Sequence, residues 1–408
     1  MQITLQKSDV LQKSSVKITG SKSESNRLLL LKALYPVFNL ENVSNSDDSN
    51  LMTNALATSS NIVDIHHAGT AMRFLTAYFS IQEGREVTLT GSKRMKERPI
   101  KVLVEALKTL GANITYVENE GFPPLKITGK KLTKNKVSLA ANVSSQYISA
   151  LLLIASKLEN GLELTLEGEI TSVPYIKMTL SLLNQIGIET SFENNVIKVK
   201  PTTNSQQATT LTVESDWSSA SYYFSIVAIS AIGTEITLSA YKKSSLQGDS
   251  ALVDIYRHFG VETSFGENTI TLKKVRLNVA PLELDLKNAP DIAQTIAVTC
   301  FLLGVACNLS GLHTLKIKET DRLVALKTEI EKLGGNVEIT NKSLHLKAAT
   351  SINEMVSIAT YNDHRMAMAF APVALKAPVV IEDAMVVSKS YPTFWEDLKT
   401  IGFKIDTK

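Results

Sequence analysis

Two kinds of apolar segment alternate along the chain. The first kind begins with small polar residues and runs into an almost unbroken apolar stretch: GSKSESNRLLLL, AGTAMRFLTAYF, SSQYISALLLIA, SSASYYFSIVAI, PDIAQTIAVTCF and DHRMAMAFAPVA. Segments that are apolar nearly all round predict buried helices. The second kind mixes Lys and Glu with its apolar positions and ends at an apolar-Gly step before a short run of alternating character. EVTLTGSKRMKERPIKVLVEALKTLGANITYV is the clearest copy. The pattern recurs in LELTLEGEITSVPYIKMTLSLLNQIGIETSF, TEITLSAYKKSSLQGDSALVDIYRHFGVETSF, CNLSGLHTLKIKETDRLVALKTEIEKLGGNVEI and PVVIEDAMVVSKSYPTFWEDLKTIGFKI. It predicts strand, polar loop, half-exposed helix, strand.

The starts of the buried helices, near Ser21, Gly69, Ser144, Ser218, Asp291 and His364, lie about 73 residues apart except for a shorter first interval. That period is too long for the common solenoid repeats, so each unit is a small subdomain with two helices. The first unit is shortened between Asp48 and His67, which predicts the loss of one strand there. At 408 residues the chain exceeds one ordinary core, and two domains of roughly 200 residues are expected.

The uncharged run from Ile292 to Leu312 has the length of a membrane span. Gln294, Asn308 and the break at Gly304 favour a buried helix followed by a strand. Cys300 and Cys307 fall inside this stretch and read as buried, inert thiols of a reducing cytosol. The N-terminus, MQITLQKSDV, carries no apolar or Arg/Ser-rich targeting pattern, so a cytoplasmic location is expected. With 43 basic and 40 acidic residues the net charge is only +3, which argues against a surface built to coat nucleic acid.

Cations are nevertheless concentrated locally. Ser, Asp and Asn at a helix start are ordinary caps, but a cation there opposes the helix dipole unless an anion binds. Lys22, Arg27, Arg73, Arg98, Lys318, Arg322 and Arg365 all lie in or just after such starts. In KIKETDRLVALKTEI, Lys318 and Arg322 are spaced to share one helical face, with Glu319 and Asp321 beside them. In YNDHRMAMAF, Asp363, His364 and Arg365 lead straight into a core helix, where charge is costly unless a ligand pairs with it. The chain has no Walker A loop, no GxGxxG after a strand, and no HExxH or CxxC pattern, so neither nucleotide cofactor nor metal is expected. These features predict a cofactor-free enzyme that holds small phosphorylated molecules.

The strings GSKSESNR, AGTAMR, RMKERPI, SSQY, SVPYI, APDIAQTIA, KETDR, YNDHRMAM and SKSYP occur in order between about Gly20 and Lys389. In these motifs the chain resembles the 5-enolpyruvylshikimate-3-phosphate (EPSP) synthase family, also called 3-phosphoshikimate 1-carboxyvinyltransferases. The resemblance implies transfer of the enolpyruvyl group of phosphoenolpyruvate to the 5-hydroxyl of 3-phosphoshikimate with release of phosphate, in aromatic amino-acid biosynthesis and without a cofactor. It implies an inside-out, two-domain α/β fold of six βαβαββ units, three per domain. Residues 21–213 would form one domain and residues 1–20 with 214–408 the other, with the active site in the cleft between them. A monomer is expected, with no nucleic-acid or membrane partner.

Carried over motif by motif, Lys22, Ser23, Arg27, Ser144, Ser145, Gln146, Ser172, Tyr175, Asp291, Thr314 and Lys318 would hold 3-phosphoshikimate. Lys22, Gly69, Arg98, Gln146, Arg322, Arg365 and Lys389 would hold phosphoenolpyruvate, the arginines by bidentate contacts. The attacking hydroxyl must lose a proton and the enol methylene must gain one. The resemblance assigns the first task to Asp291 and the second to Glu319, with Lys22 supporting the charged intermediate and His364 a neighbour of Glu319.

The family usually has Asn where this chain has His67, Pro where it has Phe74, and Asn where it has Thr314. The first two flank Gly69 and predict a weaker grip on phosphoenolpyruvate; Thr314, with one hydroxyl, makes a lesser contact to shikimate phosphate. Three other readings share parts of the pattern. One is a phosphometabolite-binding relative without catalysis, against which stand Asp291 and Glu319. Another is UDP-N-acetylglucosamine enolpyruvyl transferase, which usually carries a Cys in the loop that here reads SKRMKERP. The third, an RNA 3′-phosphate cyclase-like role, lacks a basic, aromatic-interleaved surface.

Overall fold

Among the described residues of the computed structural model, five four-stranded sheets repeat one arrangement, and strands from distant parts of the chain complete two of them. The structure describes all residues except 142–143, 169, 171–172, 203–209, 279 and 408. In each sheet two parallel strands flank a buried crossover helix, and a second helix then leads towards an antiparallel hairpin. In four sheets the later strand of that hairpin pairs with one of the parallel strands; in the fifth, Ile3–Leu5 takes its place. The unit around Leu162–Glu167 shows how the sequence builds this. Leu162, Leu164 and Leu166 are buried and alternate with more exposed residues, the period of a strand with one face on the core. Leu162–Glu167 pairs parallel with Lys136–Ala140 and antiparallel with Val196–Val199.

The chain folds into two compact units, residues 21–213 and residues 1–20 with 214–408. In the second unit, Lys13–Val16 pairs parallel with Glu235–Ser239. Ile3–Leu5 lies between Val379–Ile381 and Ile405–Thr407, antiparallel to both. In the first unit, Thr210–Thr212 returns to pair parallel with Asn39–Glu41.

That last pair is the whole of the sixth sheet among the described residues. The shortened first repeat was expected to lose one strand; it lacks both strands of the antiparallel hairpin. After the helix Asp47–Ala57, only residues 58–61 precede Ile62–Asp64. That is too few for a hairpin, and Ile62–Asp64 already belongs to the next sheet, parallel to Glu86–Thr90.

The six apolar segments form the buried helices Lys22–Leu34, Gly69–Ser80, Ser145–Ala155, Trp217–Ile229, Ala293–Leu303 and His364–Phe370. Every residue of Gly69–Ser80 is buried. Helices packed this closely must pair their polar atoms with one another. Ser221 meets Thr295 at 2.9 Å, and Thr299 donates to Ser225 at 2.7 Å, so two hydroxyl pairs one turn apart join Trp217–Ile229 to Ala293–Leu303.

The run from Ile292 to Leu312 resolves into the helix Ala293–Leu303 and the strand Cys307–Ser310. Gly304 separates them with φ +69°, a left-handed conformation that glycine adopts without strain. Cys300 and Cys307 are buried free thiols. No helix among the described residues is long and apolar enough to cross a membrane.

Candidate active site

In the unit that contains residues 214–408, the cations Lys318, Arg322, Arg365 and Lys389 gather with four carboxylates where the buried helices begin. The Arg322 guanidinium is their hub. Its Nε donates to Asp363 Oδ2 at 2.6 Å, its Nη1 to Asp291 Oδ1 at 2.9 Å, and its Nη2 to Glu319 Oε2 at 2.8 Å. Lys318 Nζ lies 3.2 Å from Asp291 Oδ1, and Arg365 Nη2 lies 3.5 Å from Asp291 Oδ2. Arg365 also donates to Ser218 Oγ at 3.2 Å, and the Ser218 hydroxyl donates to Asp249. Lys389 Nζ donates to Asn362 O at 2.6 Å.

Local structure explains how each group is held. Asp363 caps the helix His364–Phe370 by accepting from Arg365 N at 2.9 Å. Asp321 caps Arg322–Lys332 by accepting from Leu323 N and Val324 N. Asp291 sits in the 3₁₀ turn Pro290–Ile292 that opens Ala293–Leu303. Lys318 and Arg322 do not share a helical face. Lys318 is extended, with ψ −151°, after the 3₁₀ segment His313–Ile317, and the helix starts only at Arg322. Asp321 takes the capping position and so breaks the helical register between them, yet both cations reach the same oxygen of Asp291.

These contacts set the charge states. Burial alone would raise the Asp291 carboxyl, but Lys318, Arg365 and Arg322 outweigh it and hold that carboxyl well below the usual carboxylate range. Burial would lower Arg322, but Asp363, Glu319 and Asp291 outweigh that and raise it. Burial, with Asp291 adding to it, raises Asp249 to about 6. Thr314 lies within His313–Ile317, and its buried hydroxyl has no hydrogen-bond partner among the described residues. His364 Nδ1 lies 4.0 Å from Asp363 Oδ1.

In the unit formed by residues 21–213, Arg27 is buried and donates to Thr179 Oγ1 at 2.8 Å, Ser23 O at 2.7 Å and Ser149 Oγ at 2.9 Å. Its guanidinium lies over the rings of Phe74, 5.4 Å from the centroid, and Tyr175, 5.9 Å away. Burial lowers Arg27 to about 10, so it stays charged at neutral pH. Ser144 caps Ser145–Ala155 by accepting from Gln146 N, and Gln146 Nε2 donates to Thr70 Oγ1 at 3.1 Å. Ser172 lies outside the described residues.

Gly69 begins its helix under the Arg98 guanidinium; a Cβ at this position would stand 3.0 Å from Arg98 Cζ. Glycine is therefore what lets Arg98 cross the helix start. Arg73, grouped above with the anion-binding cations, instead turns inward and donates to Gly69 O at 3.0 Å and Pro99 O at 3.3 Å. It fixes the Arg98 loop against the helix.

Sequence reasoning missed Asp48. Its Oδ2 lies 3.5 Å from Lys22 Nζ and its Oδ1 lies 3.6 Å from His67 Nε2, so the residue that replaces the family's usual Asn shares a carboxylate with Lys22. The SDDSN stretch was the available signal, since Ser46 caps the helix and leaves the second Asp for another task. Asp249 and Glu329 were missed as well. Among the described residues no group of His, Cys, Asp and Glu side chains could hold a metal ion.

The fold is that of a repeated α/β protein, shared along its whole length with solved structures. EPSP synthase from Acinetobacter baumannii matches over the whole of both chains with a TM-score of 0.80 at 19% identity. The enolpyruvyl transferase NikO from Streptomyces tendae matches with a TM-score of 0.75 at 12% identity, covering 99% of this chain and 98% of that one. Sequence is more specific. The profile of EPSP synthase (3-phosphoshikimate 1-carboxyvinyltransferase) matches residues 53–398. The 3-phosphoshikimate 1-carboxyvinyltransferase of Bacteroides fragilis is 47% identical over 398 residues, 96% of each chain, and that of Haemophilus influenzae is 36% identical over 423 aligned positions, again 96% of each. The chain belongs to the EPSP synthase family.

Proposed function

We propose that the protein transfers the enolpyruvyl group of phosphoenolpyruvate to the 5-hydroxyl of 3-phosphoshikimate and releases phosphate. The observation that carries the reading is the convergence of Lys318, Arg322 and Arg365 on Asp291 inside a chain of this family. In the reaction the 5-oxygen bonds to the substituted enol carbon while the methylene takes a proton. The carbon–oxygen bond to phosphate then breaks as the methyl group returns a proton to the Glu319 carboxylate, leaving the enol ether and free phosphate. Asp291 accepts the hydroxyl proton and Glu319 supplies the methylene proton.

The charge pattern ties binding to catalysis. A carboxylate faced by three cations is a weak base. Phosphoenolpyruvate, carrying a carboxylate and a phosphate, competes with Asp291 for Arg322 and Arg365 and draws their field away from it. Asp291 thus becomes more basic only when the anion is bound. Lys389 and Arg98 complete the hold on phosphoenolpyruvate, with Gly69 supplying backbone. Ser23, Arg27, Ser144, Ser145, Gln146, Ser172 and Tyr175 hold 3-phosphoshikimate, with Thr314 a lesser contact, and Lys22 serves both substrates.

The test is phosphate release with both substrates present, alongside calorimetry. Asp291→Ala is expected to abolish turnover and leave 3-phosphoshikimate binding largely intact. Binding of 3-phosphoshikimate by the unaltered protein without any phosphate release would instead establish a non-catalytic binding protein.

A further inference from the structure

Glu329 is a fully buried carboxylate with no part in the reaction as assigned above. It lies two helical turns beyond Arg322 in Arg322–Lys332, so both side chains leave the same face. Its Oε1 accepts from Tyr361 Oη at 2.6 Å, and its Oε2 accepts from Ala359 N at 3.2 Å and Lys332 Nζ at 2.8 Å.

The segment gripped this way is unusual. Tyr361 and Asn362 both adopt left-handed backbone, with φ +54° and +56°, though neither is glycine. Two such residues in succession persist only where their surroundings impose them. Directly after them comes Asp363, which orients Arg322, and the carbonyl of Asn362 receives Lys389 Nζ. One short turn therefore sets the position of two cations.

We infer that Glu329 and Tyr361 form a positioning pair that fixes the 361–363 turn, and through it the placement of Arg322 and Lys389 against phosphoenolpyruvate. The inference rests on the proposed reaction. Neither residue touches the reacting atoms. The Tyr361 hydroxyl anchors the left-handed turn to the helix that carries Arg322, so Arg322 and Asp363 are held in register from both ends.

Steady-state kinetics of Tyr361→Phe and Glu329→Gln test this. Tyr361→Phe is expected to raise the KM for phosphoenolpyruvate roughly tenfold, the size of one hydrogen bond to a charged group, with kcat and the KM for 3-phosphoshikimate little changed. Glu329→Gln has one accepting oxygen where Tyr361 Oη, Ala359 N and Lys332 Nζ need two, so it should show at least as large a rise. In a Lys389→Met background the effect of Tyr361→Phe should shrink, because both changes act through the same turn. An active wild type whose phosphoenolpyruvate KM is unaffected by Tyr361→Phe, or whose loss is confined to Tm, would overturn the inference and leave the reaction standing. A wild type with no turnover would overturn the reaction and this inference with it.

Discussion

Arg322 and Asp363 form a two-point ion pair, Nε to Oδ2 at 2.6 Å and Nη2 to Oδ1 at 3.3 Å, with both side chains shut away from solvent. A carboxylate placed there holds the guanidinium by one edge while its Nη1 and Nη2 also reach the two carboxylates assigned to proton transfer. Asp363 thus presents Arg322 to the chemistry.

Removing one partner of such a pair leaves a buried charge uncompensated. Asp363→Ala is expected to lower stability by about 3–5 kcal/mol, read by urea unfolding. A loss below ~1 kcal/mol would mean that Asp291 and Glu319 alone suffice to balance Arg322.

Asp291 makes stability depend on acid. Its carboxyl is lower in the folded chain than in the unfolded one, so its contribution is present above the unfolded value near pH 4 and lost as pH falls from there toward the folded value. Between pH 5 and pH 2 the wild type should lose stability more steeply than Asp291→Asn. Parallel curves would show that the three cations do not act on Asp291 in the folded chain.

Lys274 gives a slope of the same sign in the alkaline range. It is buried, and its amine donates to Phe259 O at 2.7 Å and to Ala228 O, carbonyls at the ends of two helices. Burial, with Lys376 adding to it, lowers it to about 8. Between pH 8 and the unfolded value near 10.5 the unfolded chain binds more protons, so stability from this group rises with pH. The stability gap between wild type and Lys274→Met should widen from pH 8 to pH 10; a constant gap would rule out proton uptake at this site.

His67 and Phe74 call for separate tests. Phe74 lies wholly buried in the middle of Gly69–Ser80, beneath Arg27, so Phe74→Pro would cost about 3 kcal/mol or more through the broken helix alone and would confuse any kinetic result. His67→Asn alone frees Asp48 for Lys22. It is expected to lower the KM for phosphoenolpyruvate by about threefold, of the order of one modest polar interaction; an unchanged KM would clear His67 of the weaker grip.

The buried helices were legible because an all-apolar stretch has one stable place to go, and their starts at Lys22, Gly69, Ser145 and Trp217 fall within a residue of those read from pattern. Local pattern was silent on what depends on distant partners. Nothing near Arg73 distinguishes a cation that faces a ligand from one that hydrogen-bonds Pro99 O, and nothing near Glu329 announces Tyr361. The Lys318–Arg322 spacing misled for a different reason: Asp321, read as lying beside the two cations on one helix, is the helix cap. The hairpin missing from the first sheet could be sensed as a shortened repeat, but how many strands it removed depended on where Ile62–Asp64 paired.

The strand Ile3–Leu5 is made long before its partners, and Lys13–Val16 before Glu235–Ser239. Residues 21–213 can close on themselves while synthesis continues. Ile3–Leu5 must wait for Val379–Ile381 and Ile405–Thr407, an interval of about 20 to 80 seconds at ordinary rates of chain growth. Throughout that time the nascent chain carries an unpaired apolar strand, which gives chaperones a defined segment to shield.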